Sequence, residues 1–285
     1  MAVEGWSYSH NHDPVLHQAA FYGDLARIKS LLKETDHMEQ INEKNRLGCT
    51  PLRLAATAGH TDCVSYLLKQ GADIEAADIK GQTALFVAIK NKRVDCLRLL
   101  LQQGANPNGS KQCLCTPIYI AAMEGFHAGV QELVEHGADL NLSQPHMGIF
   151  INTPLYISMA YGHLSCFKEL LLGGADPNFN IQKSQPCITL YHTAVKRNVD
   201  VVFVELLYDF GTYLNVKDTK GFYPWEITGF DNQCKEFLQQ VHDMPRSLKG
   251  LSRLQIRHAL GRNRLQYLHK LPLPAKIIDF LLYNT

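Results

Sequence analysis

The chain has 285 residues, a formal net charge of +1 and 19% charged residues, a balance that excludes a whole-chain nucleic-acid or membrane-surface binder. No apolar run approaches the ~20 residues of a membrane span, and residues 1–14 are polar with no signal-peptide core. A soluble, cytoplasmic protein is the expectation.

After a polar segment, 1–13, the chain reads Pro14-Val15-Leu16-His17-Gln18-Ala19-Ala20-Phe21-Tyr22-Gly23, and a sharper version of the same phrase follows. It is Thr50-Pro51-Leu52-Arg53-Leu54-Ala55-Ala56-Thr57-Ala58-Gly59-His60, with further copies opening at Thr116 and Thr153 and weaker ones at Thr83 and Thr189. These threonines lie 33, 33, 37 and 36 residues apart, the mark of a stacked repeat array.

Each position has a physical task. The threonine hydroxyl caps a helix, and proline follows where no backbone donor is needed. Small alanines let a neighbouring helix approach closely, and Gly59, Gly125 and Gly162 supply the left-handed residue that ends the short helix. A second helix ends in paired apolar residues (Leu67-Leu68, Leu100-Leu101, Leu133-Val134, Leu170-Leu171), and Gly71, Gly104, Gly137 and Gly174 close it. The pattern resembles the ankyrin repeat, with its Thr-Pro-Leu-His-x-Ala helix pair.

Individual copies depart from the pattern in ways that carry expectations. The first, with Lys33-Glu34-Thr35 in place of Gly-Ala-Asp, reads as an N-terminal cap. The third has Lys92 where glycine is usual, with Asn91 expected to share the turn. The sixth carries one extra residue, expected in its second helix. A degenerate seventh starts at Asp218 and ends near Met244, with Tyr223 for Thr and Trp225 for Leu. The fingers at 139–153 and 176–189 are long, and the first carries Met147, Ile149 and Phe150.

The eight cysteines read as reduced, mostly buried thiols; Cys113 and Cys115 have no second Cys or His pair with zinc-ligand spacing, so no metal is expected. The thirteen histidines read as capping and turn residues. No phosphate loop, nucleophile elbow or paired carboxylates stand outside the repeats, so neither an enzyme nor a cofactor is expected.

Residues 245–285 differ in kind. From Met244 to Ile278 there is no Asp or Glu, and the bases are Arg246, Lys249, Arg253, Arg257, Arg262, Arg264, Lys270 and Lys276. Leu248, Leu251, Ser252, Gln255, Ile256 and Ala259 share one helical face, Gly261 closes that helix, and Leu271-Pro272-Leu273-Pro274 leads into a last helix with Ile277, Phe280 and Leu281. The bases read as a solvated outer face.

This tail resembles the SOCS box, and the whole chain is similar to the ankyrin repeat and SOCS box proteins. The family's elongin C motif fits Ser247-Leu248-Lys249-Gly250-Leu251-Ser252-Arg253-Leu254-Gln255-Ile256, except that Ser252 stands where the family has Cys. Its cullin motif fits Leu268-His269-Lys270-Leu271-Pro272-Leu273-Pro274-Ala275-Lys276-Ile277-Ile278-Asp279-Phe280-Leu281 at every defined position, in the variant that implies cullin five.

The resemblance implies an all-α fold: an ankyrin solenoid of about six to seven helix pairs over 14–244, then a three-helix SOCS box over 245–285. It implies elongins B and C, cullin five and its RING protein as partners, with Leu248, Leu251, Ser252 and Ile256 on elongin C and Leu268, Leu271, Pro272, Leu273, Pro274, Ile277 and Phe280 on the cullin. The array would hold a protein substrate for ubiquitination, with Arg46, Lys80, Lys90, Gln112, Met123, Glu124, Phe150 and Tyr161 as its surface. The alternative is an ankyrin adaptor or inhibitor that masks a partner.

Overall fold

In a computed structural model of the chain, Thr50 and its equivalents begin helices. The hydroxyls of Thr50, Thr83, Thr153 and Thr189 accept the amides of Arg53, Phe86, Tyr156 and His192 at 3.1–3.4 Å. The structure describes all residues except 1–12, 35–39, 143–152, 180–187, 228, 230–231, 243, 245, 262–264, 266–267 and 284–285. Met147, Ile149 and Phe150, and with them one expected substrate anchor, lie outside the described residues.

The fold is all-α, with no strand among the described residues. The chain forms two compact units, 1–117 and 118–285. In the first unit, α1 (Val15–Tyr22), α3 (Pro51–Ala58) and α5 (Ala84–Lys90) pack one against the next. Their partners α2 (Leu25–Glu34), α4 (Thr61–Lys69) and α6 (Val94–Gln102) do the same.

The second unit continues with α7 (Pro117–Met123), α8 (His127–Glu135), α9 (Pro154–Ala160), α10 (Leu164–Gly173), α11 (Leu190–Arg197) and α12 (Val201–Asp209). A 3-10 turn (Pro224–Glu226) and α13 (Gln233–His242) complete the repeats. The tail is α14 (Leu248–Leu260), a 3-10 turn (Leu268–Lys270) and α15 (Ala275–Leu281). Leu67, Leu100, Leu133, Leu170 and Leu207, one per second helix, are all completely buried, as are Ala55, Ala88, Ala121 and Ala194 on the first helices. Helix-on-helix burial of this kind is the main stabilising term of a layered array.

Two local expectations are corrected, and the degenerate seventh copy shows its own departure. Lys92, not Asn91, takes the left-handed turn of the third copy, at φ 55° against −95° for Asn91. The sixth copy's extra residue sits between its helices: Asn198 turns at φ 50°, and Asp200 then caps α12 through the Val202 amide at 3.0 Å. The seventh copy's first helix is only the 3-10 turn, because Tyr223 offers no short capping oxygen. Glu226 supplies one from the other side, accepting the Tyr223 amide at 2.9 Å.

Two sets of side chains tie one repeat to the next. At the His position of the motif, His17 reaches the Cys49 carbonyl (3.0 Å), Arg53 the Gln82 carbonyl (3.3 Å) and His192 the Phe222 carbonyl (3.2 Å). Each acceptor lies immediately before the following copy's Thr position. Burial holds both His17 and His192 below the usual imidazole range, so both stay neutral ring donors.

The second set runs backwards. His60 bonds the Phe21 carbonyl and His163 the Met123 carbonyl, each at 3.0 Å, across the turn that ends the preceding copy's first helix. Arg93 approaches the Thr57 carbonyl in the same way at 3.5 Å, and Asn232 the Val195 carbonyl at 2.8 Å. The histidines are therefore turn residues as expected, but they serve the neighbouring repeat.

This ladder sharpens the role of one glycine. Gly125 has φ 63°, and a Cβ there would sit 2.6 Å from Nδ1 of His163. At Gly162, φ is 75° but a Cβ would meet nothing within 4 Å. Gly125→Val is expected to cost ~2–3 kcal/mol, combining backbone strain with displacement of the His163 ring. Thermal unfolding should also show Gly125→Ala costing more than Gly162→Ala; equal losses would mean that the ring contact carries no weight.

Candidate docking surfaces on the tail and the repeats

The tail helix α14 begins at Ser247, whose hydroxyl accepts the Gly250 amide at 3.1 Å. Its two sides face different surroundings. Leu248 is 83% exposed, Leu251 44% and Ile256 40%, and Ser252, Gln255 and Ala259 are also exposed on this side. An apolar stripe on a folded helix, open along its length, is an unusual use of leucine and isoleucine. Ser252 lies within it and is exposed.

The opposite side is attached to the repeats, and here the sequence reading is corrected in part: Arg246, Arg253 and Arg257 face inward, while Lys249, Lys270 and Lys276 are exposed as expected. Arg246 donates to the carbonyls of Tyr208 and Thr212, its guanidinium 4.2 Å above the Tyr208 ring. Arg253 stacks on Tyr283 at 4.0 Å and on Phe280 at 4.5 Å. Arg257, 6% exposed, donates to the Leu281 carbonyl at 3.0 Å and to the Leu171 and Leu172 carbonyls at 2.9 and 3.1 Å. Those acceptors are in the last turns of α10 and α15, where helix dipoles place partial negative charge. Burial lowers the Arg257 pKa to about 10, so the side chain is still charged at neutral pH.

Tyr283 completes this joint. Its ring stacks on Phe210 at 4.2 Å, and its hydroxyl donates to the Asp209 carbonyl at 2.8 Å. Leu254 fills the space over Gly211, where a Cβ would come within 3.1 Å of it.

The second tail motif divides in the same manner. Leu268 is 1% exposed and forms the tail's core with Leu265 and Leu281; Leu271 and Phe280 pack against that core, half-buried. Pro272, Leu273, Pro274 and Ile277 are exposed, with Leu273 at 37% and Ile277 at 41%. The motif thus mixes residues that build the tail with residues a partner can reach.

The residues expected to meet a substrate fall in both units. In the first, Arg46, Lys80, Lys90 and Gln112 are exposed. In the second, Met123 is half-buried, Glu124 is exposed and Tyr161 is 61% exposed. His163 brings Met123 and Tyr161 together, bonding the carbonyl of the first while its ring lies against that of the second at 6.3 Å. Among the described residues no three His, Cys, Asp or Glu side chains cluster as a metal site, and no helix is long and apolar enough to cross a membrane.

Comparison with known proteins covers both the repeats and the tail. Residues 16–111 and 108–181 match the ankyrin repeats family model, and 244–282 match the SOCS box. Human ankyrin repeat and SOCS box protein 1 is 38% identical over 96% of this chain and 90% of its own length. The mouse protein 12 of the same name is 35% identical over 93% and 90%. The chain belongs to the ankyrin repeat and SOCS box family. Solved structures agree on the fold: the human ASB11 ankyrin repeat domain superposes with a TM-score of 0.63 at 24% identity, covering 82% of this chain and 100% of that one. The Bcl-3 ankyrin repeat domain gives 0.68 at 24%, covering 80% and 99%. Membership of the ankyrin repeat and SOCS box family carries a general role, that of a substrate adaptor for cullin–RING ubiquitin ligases.

Proposed function

We propose that this chain is the substrate-recognition subunit of an elongin B/C–cullin five–RING ubiquitin ligase, acting in the cytoplasm. The array (14–244) holds a protein substrate, and the tail (245–285) docks on the ligase. The observation that carries the reading is the two-sidedness of α14, whose arginine side is fixed to the repeats while its Leu248, Leu251 and Ile256 side stands open. That stripe fits elongin C, with Leu248 as the side chain that enters an apolar pocket. The exposed Pro272, Leu273, Pro274 and Ile277 fit the cullin. The chemistry is positioning: ubiquitin carried by a recruited conjugating enzyme is held near a substrate lysine at high effective concentration.

Co-purification of the full chain with elongins B and C and with cullin five tests the reading. A Pro272→Ala/Leu273→Ala variant should retain the elongins and lose most of the cullin, because both side chains face outward. Leu271→Ala is a poorer probe, since Leu271 also supports the tail core. Equal capture of cullin five by the variant and the parent would remove this motif from the cullin interface.

A further inference from the structure

The fingers of the first unit form a continuous edge. The Ile79 amide donates to the Leu47 carbonyl at 3.4 Å, and Gly81 lies so close to the third finger that a Cβ would be 2.5 Å from the Gln112 carbonyl carbon. Taken with the first helices beside it, this edge is predominantly basic. Over 44–58, 76–94 and 108–117, the fingers and first helices carry eight Lys and Arg residues and a single acid, Asp78. Asp78 is itself neutralised: its side chain is 5% exposed and bonds Arg53 at 2.6 Å. Of the unit's other exposed acids, Asp62 and Asp95 lie in the first turns of α4 and α6, Glu43 directly precedes Lys44, and Asp73 and Glu75 precede the second finger's turn, where Glu75 accepts the Asn106 amide at 2.6 Å.

Arg46, Lys80 and Lys111 are exposed on three successive fingers, and exposed aliphatic side chains lie beside them: Leu47 at 36%, Ile79 at 71% and Leu114 at 62%. We infer that this edge binds an acidic stretch of polypeptide with apolar side chains between its carboxylates. Resting on the adaptor role above, this names the chemical class of the substrate's recognised segment. The bases select the charge and speed the encounter, and the aliphatic tips supply the desolvated contact that charge alone lacks. Nucleic acid fits less well. None of the residues 42–49, 75–82 and 108–115 is aromatic, so the fingers offer no ring for base stacking.

The test uses the full chain purified with elongins B and C. The probe is a fluorescent twelve-residue peptide in which leucine follows each pair of glutamates. Its counterparts are the same peptide with lysine for glutamate, the same with serine for leucine, and a 20-nucleotide oligouridylate. The glutamate–leucine peptide should bind, the other two peptides at least about tenfold more weakly, and the binding should fall as salt rises past ~0.1 M.

Arg46→Glu/Lys80→Glu/Lys111→Glu should weaken the glutamate–leucine peptide by about 30-fold or more, and the corresponding triple alanine variant by less. All three positions are exposed, so an unchanged thermal midpoint shows that the fold is kept. No binding of the glutamate–leucine peptide, equal binding of the lysine peptide, or an unchanged affinity in the reversed variant would each overturn the inference. Tighter binding of oligouridylate than of any peptide would overturn it as well, in favour of a general polyanion surface. Elongin C capture by the same preparations is read separately, so the inference can fail while the adaptor role stands.

Discussion

Leu248→Ala in the full chain should abolish practical capture of elongin C. A leucine that enters an apolar pocket contributes ~2–4 kcal/mol, so affinity should fall roughly 30- to 800-fold. The side chain is 83% exposed in the chain alone, and its removal leaves the fold's own packing untouched. The thermal midpoint should therefore match the parent. Cullin five should be lost together with elongin C, since docking on the ligase then lacks its main anchor. Pull-downs blotted for both proteins read this directly. Wild-type retention of elongin C would reduce the open stripe to a surface feature, and the masking-adaptor alternative would take over.

Arg257→Ala should do the opposite, damaging the chain while leaving the stripe's residues in place. Three main-chain carbonyls, of Leu171, Leu172 and Leu281, lose a charged donor at a buried position. Burying acceptors without a partner makes this an expensive truncation, expected at about 2–4 kcal/mol. Arg257→Lys should recover only part of it, because one ammonium cannot reproduce a planar fork that addresses two helix ends at once. Denaturant unfolding and limited proteolysis between α13 and α14 would measure the effect. A parent-like midpoint for Arg257→Ala would show that Tyr283 and Leu254 hold the joint without it.

The repeats and the tail motif were legible in the sequence because their signals are local. A capping threonine, a proline at the first helical position and a left-handed glycine are all decided within one helical turn, and copies of the phrase reinforce one another. The orientation of the tail was not legible in this way. Arginine on a helix ordinarily points to water, and the partners of Arg246 and Arg257 are carbonyl oxygens, which every residue carries. Nothing in the letters marks Leu171 or Tyr208 as an acceptor. Leu268 shows the same limit from the other side: the motif places it beside exposed prolines, but only packing against Leu265 and Leu281 turns it inward. The exchange of His for Arg93 in the ladder was hidden too, since only the reach to the Thr57 carbonyl relates the two.

That ladder has a direction, and the direction matters while the chain is being made. His60 lies 39 residues beyond the carbonyl it bonds, Arg93 36, His163 40 and Asn232 37. Each of these four turns is thus one hydrogen bond short, as it leaves the ribosome, until roughly another repeat's length has followed it out. At a synthesis rate of about 5–20 residues per second, each turn waits some seconds for its closing side chain. At these four turns the layer made later finishes the one made before it, whereas the equivalent positions in the fourth and sixth copies hold Phe126 and Val199, which have no side-chain donor.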